Sequence, residues 1–166
     1  MSVLIVAEHI RGELRPITLE LVTAARSLEG PVALAVIAKD PSALADQVAV
    51  DGVDEILSVN VEQEEFENDV YQQAVEQLIQ QRSPDVVLLG FTVNSMGFAP
   101  ALAAQLGTGF ASDVFAIEQA QDGLVVQRAF YGSKVQAEIE FPDHERVILL
   151  LRPTAWPPAE GDGSAV

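Results

Sequence analysis

VLIVA, at residues 3–7, decides the fold because it is an unbroken apolar run without polar alternation. Such a run is typical of a strand buried on both faces, as strands are in parallel sheets. The same pattern recurs in VALAVIA at residues 32–38 and DVVLLG at residues 85–90, and residues 55–59 fit a further strand. The sequence therefore predicts four strands of a parallel sheet.

Helical patterns lie between the first three strands. Pro16 suits the first position of a helix, apolar residues follow at helical spacing, and Gly30 fits the position just after the helix end. Asp40 and Pro41 supply an N-cap and a first helical residue for a short helix to about residue 49. The chain to this point therefore alternates strand and helix.

Two longer helices are predicted around the fourth strand. Residues 65–81 form the clearest amphipathic stripe, which includes Phe66, and acidic residues lie in the first turn. Residues 94–106 predict the other helix. Because Pro100 fits only within about the first turn of a helix, we place this N-cap near residues 95–96.

The last third of the chain has a different pattern, with short strands separated by turns. Turns are predicted at Gln121-Asp122-Gly123 and Tyr131-Gly132-Ser133. The strands predicted there are residues 111–118, 124–130, 134–141 and 146–151. We therefore predict an α/β fold, a doubly wound, mainly parallel, Rossmann-like sheet with antiparallel strands added at its edge in the C-terminal third.

The 166 residues suit one domain of ordinary size. We expect residues 1–152 to form a single α/β domain. Residues 153–166 are rich in Pro and Gly, so we expect them to be a linker or tail.

An acidic charge on an apolar chain excludes several functions. The sequence has 25 Asp and Glu against 9 Lys and Arg, a net charge of −16, and 49% hydrophobic residues. This apolar content is too high for a disordered acidic tail. Nucleic acid and anionic membrane surfaces both need clustered basic residues, so neither is an expected partner.

The absence of cysteine excludes disulfides, thiolate nucleophiles and metal sites with Cys ligands. The N-terminus lacks the basic segment of a signal peptide, and no apolar stretch reaches the roughly 18 residues of a membrane span. We therefore expect a cytoplasmic protein.

Sequence motifs for catalysis and metal binding are missing. Glu8-His9-Ile10-Arg11-Gly12 follows the first strand in place of a G-x-G-x-x-G loop, and Walker A, H-E-x-x-H and G-x-S-x-G motifs do not occur. His9 and His144 are far apart in sequence, so we interpret both as solvated loop residues. The sequence predicts no catalytic residue and no metal ligand.

One crevice is a candidate ligand site. In open α/β sheets ligands bind beyond the carboxyl ends of strands, where the strand order reverses, and here that point lies between the first and fourth strands. Its predicted lining is Glu8, Gly90, Thr92, Asn94 and Ser95. The polar residues after the fourth strand either bind an anion or cap the following helix, and Glu8 would repel a phosphate.

Two groups of charged residues have two interpretations each. The acidic residues at positions 62, 64, 65, 67 and 69 fit a solvated helix start or a surface for a basic partner. Four of the nine basic residues lie in the last quarter of the chain, where they either pair across strands or face a partner. They are Arg128, Lys134, Arg146 and Arg152.

Several stretches, in order, resemble one family. SVLIVAEH (residues 2–9), GELRPITLELVTAARSL (12–28) and PDVVLLGFT (84–92) resemble the opening of the electron transfer flavoprotein alpha subunit. PALAAQLGTGFASDV (100–114), RAFYGSKVQAEIE (128–140) and RPTAW (152–156) are similar to later stretches of that family's first domain. The resemblance covers nearly the whole chain.

The resemblance implies a non-catalytic role. In that family the alpha subunit has a second domain that binds FAD, and this chain resembles only the first, so no cofactor is expected on it. The first domain packs against the beta subunit and supports the FAD domain in electron transfer from acyl-CoA or other dehydrogenases. By this resemblance we expect interface residues at Asp113, Arg128, Tyr131 and Arg152.

A stand-alone nucleotide-binding module of the universal-stress type is the alternative. It would bind AMP or ATP in the crevice between Glu8 and Thr92. Phe91 and Met96 count against it, because they occupy positions that would need small residues or hydrogen-bond donors. A hydrolase in the same crevice is a weaker option, since no nucleophile–base pair supports it.

Overall fold

Strands and helices alternate in the first two thirds of the chain, and strands follow in the last third. The computed structural model describes residues 1–121 and 123–161, so the predicted turn residue Asp122 and the last five residues of the predicted linker or tail, 162–166, lie outside the described residues. In chain order the elements are β1 (Val3–Val6), β2 (His9–Ile10), β3 (Glu13–Leu14), α1 (Pro16–Ala25), β4 (Val32–Ala38), α2 (Ser42–Val48), β5 (Glu55–Asn60), α3 (Asn68–Arg82), β6 (Val86–Gly90), α4 (Val93–Leu106), β7 (Gly109–Ala120), β8 (Gly123–Phe130), β9 (Val135–Glu140) and β10 (Val147–Leu151).

β1 lies inside an eight-stranded sheet of order β5-β4-β1-β6-β10-β7-β8-β9. The pairs from β5 to β7 are parallel, and the pairs β7-β8 and β8-β9 are antiparallel. All residues of β1 are buried, because strands flank it on both sides and helices cover both faces. The predicted fold class, doubly wound and mainly parallel with antiparallel strands added, is confirmed.

β10 has a different place from the one predicted. We expected residues 146–151 to join the antiparallel addition, but β10 is parallel to both of its neighbours, β6 and β7. Every residue of Val147-Ile148-Leu149-Leu150-Leu151 is buried. An all-apolar run without alternation requires cover on both faces, which only the middle of the sheet provides.

β7 changes direction in its middle and carries the antiparallel strands back over one face of the sheet. Its pairing with β8 is irregular between Val114 and Ala116, and the preceding residue, Asp113, has a φ of 59°. The ring of Phe141, just after β9, lies against Gly109 at the start of β7. Straight strands would hold these two residues about 30 Å apart. The bulged segment therefore bends the sheet.

Apolar cores form on both faces of the parallel strands. On one face α1 and α2 pack together with the returning antiparallel strands, whose Leu124 and Val126 are buried there. On the other face α3 and α4 cover the sheet, with Tyr71, Phe98 and Leu102 among the buried side chains. Both faces of the central strands are thus sealed from water.

Both long helices begin at different residues from those predicted. α3 begins at Asn68 because Glu67 is extended, which leaves Phe66 outside the helix. α4 begins after Thr92, so Pro100 lies in its interior. Pro100 leaves the carbonyl of Met96 without its helical donor. This loss falls at an exposed residue, where a helix tolerates it more readily.

Residues 153–161 pack back along α1, and we call this segment the strap. The N–H of Thr154 donates to the Glu20 carboxylate at 2.6 Å, and the N–H of Ala159 donates to the carbonyl of Leu19 at 3.0 Å. Ala159 is buried, and Trp156 packs against the same apolar core. The strap is therefore part of the folded domain surface.

Candidate functional site

The carboxyl ends of β1 and β6 meet at the predicted crevice. The Thr92 hydroxyl donates to the Glu8 carboxylate across it at 2.8 Å. The backbone of Glu8 is held by Thr18, whose hydroxyl accepts from the N–H of Glu8 at 2.9 Å and lies 3.2 Å from its carbonyl oxygen. The structure thus brings Glu8 and Thr92 into direct contact.

Thr92 and Ser95 cap α4. The Thr92 hydroxyl oxygen accepts from the N–H of Ser95 at 3.4 Å, and the Ser95 hydroxyl oxygen accepts from the N–H of Thr92 at 3.2 Å. The Ser95 hydroxyl also donates to the carbonyl of Gly90. Asn94 lines the crevice as well. Because both hydroxyls already have partners within the chain, the geometry favours capping over anion binding.

Aromatic rings fill the crevice on the α3 side. The ring centroids of Phe66 and Tyr71 are 4.8 Å apart, and those of Tyr71 and Phe98 are 6.3 Å apart. The space left beside these rings is about 20 Å³, enough for roughly one water molecule. Small-molecule pockets usually enclose about 300 Å³ or more. The part of the crevice enclosed between Glu8 and these rings therefore has no room for a nucleotide.

His9 is buried, so the prediction of a solvated residue was wrong. Its Nε2 lies 2.8 Å from the carbonyl oxygen of Ile37 and must carry a proton to donate there. The Tyr71 hydroxyl donates to the same oxygen, also at 2.8 Å. Burial raises the pKa of Tyr71, and the nearby Glu8 carboxylate adds to the increase. These bonds join β2, β4 and α3 and so close the crevice.

A bidentate ion pair lies at the end of β10. Arg152 donates from Nε and Nη2 to the two carboxylate oxygens of Asp113, both at 2.8 Å. These hydrogen bonds hold the pKa of Asp113 below its ordinary value and raise the pKa of Arg152. Planar two-point contacts of this kind fix geometry as well as charge. The pair fastens the bend in β7 to the end of β10.

Arg128 lies beside this ion pair. It is opposite Val114 in the β7-β8 ladder, and its charge contributes to the low pKa of Asp113. Its guanidinium carbon is 4.4 Å from the ring centroid of Phe130, a cation–π distance. Two guanidinium groups therefore lie near one carboxylate, which leaves a net positive charge at this place.

Of the other residues predicted to form an interface or a charged group here, two are exposed and one is bonded within the fold. Tyr131 is 83% exposed at the turn after β8, and Lys134 is exposed in the same turn. Arg146 instead donates from Nε to the carbonyl of Pro84 at 2.7 Å, so its role is within the fold. The structure thus places Asp113, Arg128 and Arg152 together, with Tyr131 at the adjoining hairpin tip.

The acidic run before α3 is solvated. Glu62, Glu64, Glu65, Glu67 and Asp69 are all exposed. Only the last lies in the helix, and Glu64 forms an exposed ion pair with Lys39 at 2.7 Å. The run is therefore mainly a surface loop.

Sequence reasoning missed Glu20, the buried carboxylate that binds the strap. It is 4% exposed and is the one charged residue between Pro16 and Ala25. A lone acid in an otherwise uncharged, apolar helix was the available signal, because burying a carboxylate is costly unless it has a hydrogen-bond partner.

Neither a metal-ligand cluster nor a membrane-spanning helix is found among the described residues. In the parts of the chain that the structure describes, no three His, Asp or Glu side chains are grouped as metal ligands would be. The described helices include none with the length and apolar character needed to cross a membrane.

The fold and the site define a Rossmann-like α/β domain with a closed ligand crevice and a charged cluster at the bend of its sheet. The family model for the electron transfer flavoprotein domain matches residues 3–166. The chain belongs to this family, and the resemblance found in the sequence is confirmed.

Curated relatives agree with this assignment. The chain is 42% identical to the electron transfer flavoprotein subunit alpha of Methylophilus methylotrophus, over 99% of the chain and 53% of that protein. It is 28% identical to the subunit of the same name from Bacillus subtilis (strain 168), over 98% of the chain and 51% of that protein. It is also 28% identical to lactate dehydrogenase (NAD(+),ferredoxin) subunit LctC of Acetobacterium woodii, over 83% of the chain and 34% of that protein. The chain spans about half the length of the first two relatives.

Proposed function

We propose that this chain is the N-terminal, non-catalytic scaffold domain of an electron transfer flavoprotein alpha subunit. It packs against a beta subunit and supports the FAD-binding domain during electron transfer from acyl-CoA or other dehydrogenases. The cytoplasmic location expected from the sequence belongs to the same proposal. Its main support is the match to alpha subunits over 99% of the chain but only 53% of the Methylophilus protein.

The bend in β7 is the surface that we propose for the beta subunit. Arg128 and Arg152 share the single carboxylate of Asp113 there, so one positive charge is left for a carboxylate of the partner. Tyr131 follows Arg128 by three residues, at the turn after β8, and is 83% exposed. Arg and Tyr are enriched at the centres of protein interfaces. The site thus has the composition of a contact surface.

The crevice does not fit FAD. Phe66, Tyr71 and Phe98 leave about 20 Å³ beside Glu8, and the carboxylate would oppose a pyrophosphate. In this proposal FAD is held by the part of the alpha subunit that the chain does not include. The same closure, together with the helix-capping role of Thr92 and Ser95, argues against the nucleotide-binding alternative.

The proposal is tested by mixing the tagged chain with the beta subunit of the same organism and measuring complex mass by light scattering after size exclusion. We expect a one-to-one complex. Tyr131→Ala should weaken it about tenfold, because an exposed aromatic anchor is lost. Gln80→Ala removes an exposed side chain from the last turn of α3, at the amino end of the parallel strands, and should leave binding unchanged.

Two outcomes would contradict this assignment. One is a beta subunit that does not bind the folded chain. The other is a purified chain with stoichiometric flavin absorbance, since the proposal places FAD outside it.

A further inference from the structure

β9 leaves one edge of the sheet unpaired within the described residues. It pairs with β8 through six consecutive residues without a bulge, and it is the last strand in the sheet order. Its side chains are mostly exposed, including Val135 at 49%. Proteins commonly protect such edges with proline, bulges, very short strands or charged side chains. β9 has no proline or bulge and spans six residues, and its charged side chains are Glu138 and Glu140. A regular, open edge is a template for another strand.

The sequence of this edge is complementary to itself. Reading Lys134-Val135-Gln136-Ala137-Glu138-Ile139-Glu140 against a reversed copy, with Ala137 opposite Ala137, places Lys134 opposite Glu140. The same register places Val135 opposite Ile139. Directly opposite residues share a face in an antiparallel pair, so the apolar side chains meet on one face and the charged ones on the other.

The amide–carboxylate pair in this register already occurs within the chain. Gln136 would face Glu138 of the other copy, and Gln127 of β8 faces Glu138 in the same way, with Nε2 3.3 Å from Oε1. Moving the centre to Glu138 would put two Glu138 carboxylates opposite each other, which is unfavourable. The charges therefore disfavour the register centred on Glu138.

The distribution of charge favours a second copy at this edge. Residues 46–76 contain ten acidic and no basic residues, whereas residues 123–152 contain four of each. β5, in the acidic part, and β7 are five strands apart, about 24 Å. This exceeds two Debye lengths at physiological salt. Two copies that meet at β9 thus bring together segments of balanced charge.

We propose that two copies of this chain associate through antiparallel pairing of their β9 strands, with Ala137 on the two-fold axis. The contact is small, so the dimer is weak and concentration-dependent. Its test needs neither the beta subunit nor FAD, although the two proposed surfaces adjoin at the turn between β8 and β9.

Cysteine crosslinking tests the register, because the chain has no native cysteine. In the proposed dimer, a Cys at position 137 would face the same position of the second copy. The two Cα atoms would be about 5 Å apart, within disulfide range. Cys at position 136 would lie about 8 Å from its own copy, beyond that range. We expect Ala137→Cys to form covalent dimers at least tenfold faster than Gln136→Cys under the same mild oxidation. Equal rates, or the reverse order, would overturn the register.

Charge exchange tests the dimer itself by sedimentation velocity between about 10 µM and about 500 µM. Lys134→Glu should raise the dissociation constant about tenfold, and the double variant Lys134→Glu with Glu140→Lys should restore it at the original net charge. Arg11→Glu, the same charge change at an exposed residue away from β9, should have little effect. A wild-type chain that stays monomeric throughout, or a double variant that fails to recover, would overturn the proposal.

Discussion

Asp113 combines an unusual backbone conformation with a charge. Its φ of 59° is one that Asp and Asn adopt more readily than most residues, and its carboxylate accepts two hydrogen bonds from Arg152. Asp113→Asn keeps the first property and removes the second. We expect a loss of about 1 kcal/mol in the free energy of unfolding at pH 7, measured by urea denaturation.

The pH dependence of this difference has a defined sign. Because Arg152 lowers the pKa of Asp113 in the folded state, the pair stabilises the protein above the unfolded pKa of about 3.9 and loses its effect as pH falls through the lower folded value. The wild type and Asp113→Asn should therefore converge in acid. Glu55→Gln, which breaks the more exposed Arg82–Glu55 pair, should cost less. Equal costs for the two variants would count against a special role for Asp113.

At the crevice, the positions of some single residues could not be predicted from the sequence. Phe66 fits the helical period of α3 but precedes the helix, because Glu67 is extended. His9 follows a strand like a loop residue but is buried against Ile37 and Tyr71. These contacts join residues distant in sequence, so local periodicity cannot reveal them. Glu8 and Thr92, by contrast, could be placed at the crevice from the sequence alone, because each follows a strand whose carboxyl end borders it.

At the scale of elements, the packing of the strap can be followed directly by tryptophan fluorescence. Trp156, the one Trp of the chain, packs against the core beside the Glu20–Thr154 hydrogen bond. Glu20→Ala removes the acceptor and leaves the N–H of Thr154 without it. We expect the strap to loosen, with a red shift of Trp fluorescence and faster hydrogen exchange at Thr154 and Ala159.

The control for the strap is Glu145→Ala, which removes an exposed carboxylate and should change neither signal. Far-UV circular dichroism should be the same in all three proteins, since α1 and the sheet do not need the strap hydrogen bond to form. Unchanged Trp emission in Glu20→Ala would mean that apolar packing alone holds the strap.

Whole elements could be predicted from the sequence more reliably than their pairing. β1, β4, β5 and β6 follow from their apolar runs, and the helices from their spacing, whereas the short β2–β3 pair was not predicted. The direction of β10 was missed although Val147–Leu151 carries the same all-apolar signature as β1. The bend in β7 depends on Asp113 and its contact with Arg152 across 39 residues. Such long-range contacts leave no local pattern.

At the scale of the molecule, the net charge of −16 is unevenly distributed. Ten acidic residues and no basic one lie in residues 46–76, around β5 and α3. Self-repulsion of like charges opposes compact folding and is screened by salt. The domain should therefore gain thermal stability as salt is added, and the gain should come mainly from this acidic part.

Charge reversal at matched exposed sites tests that location. Glu62→Lys lies in the acidic part and Asp143→Lys in the part with balanced charge. At about 10 mM salt, where screening extends over about 30 Å, Glu62→Lys should raise the melting temperature by about 1–2 °C, since it removes repulsion among many neighbours. Asp143→Lys changes the net charge equally but has fewer acidic neighbours, so its effect should be less than half as large.

In about 0.5 M salt both differences should shrink towards zero because charges beyond about 4–5 Å are then screened. Equal effects of the two variants at low salt would mean that only the net charge matters, and not where it lies.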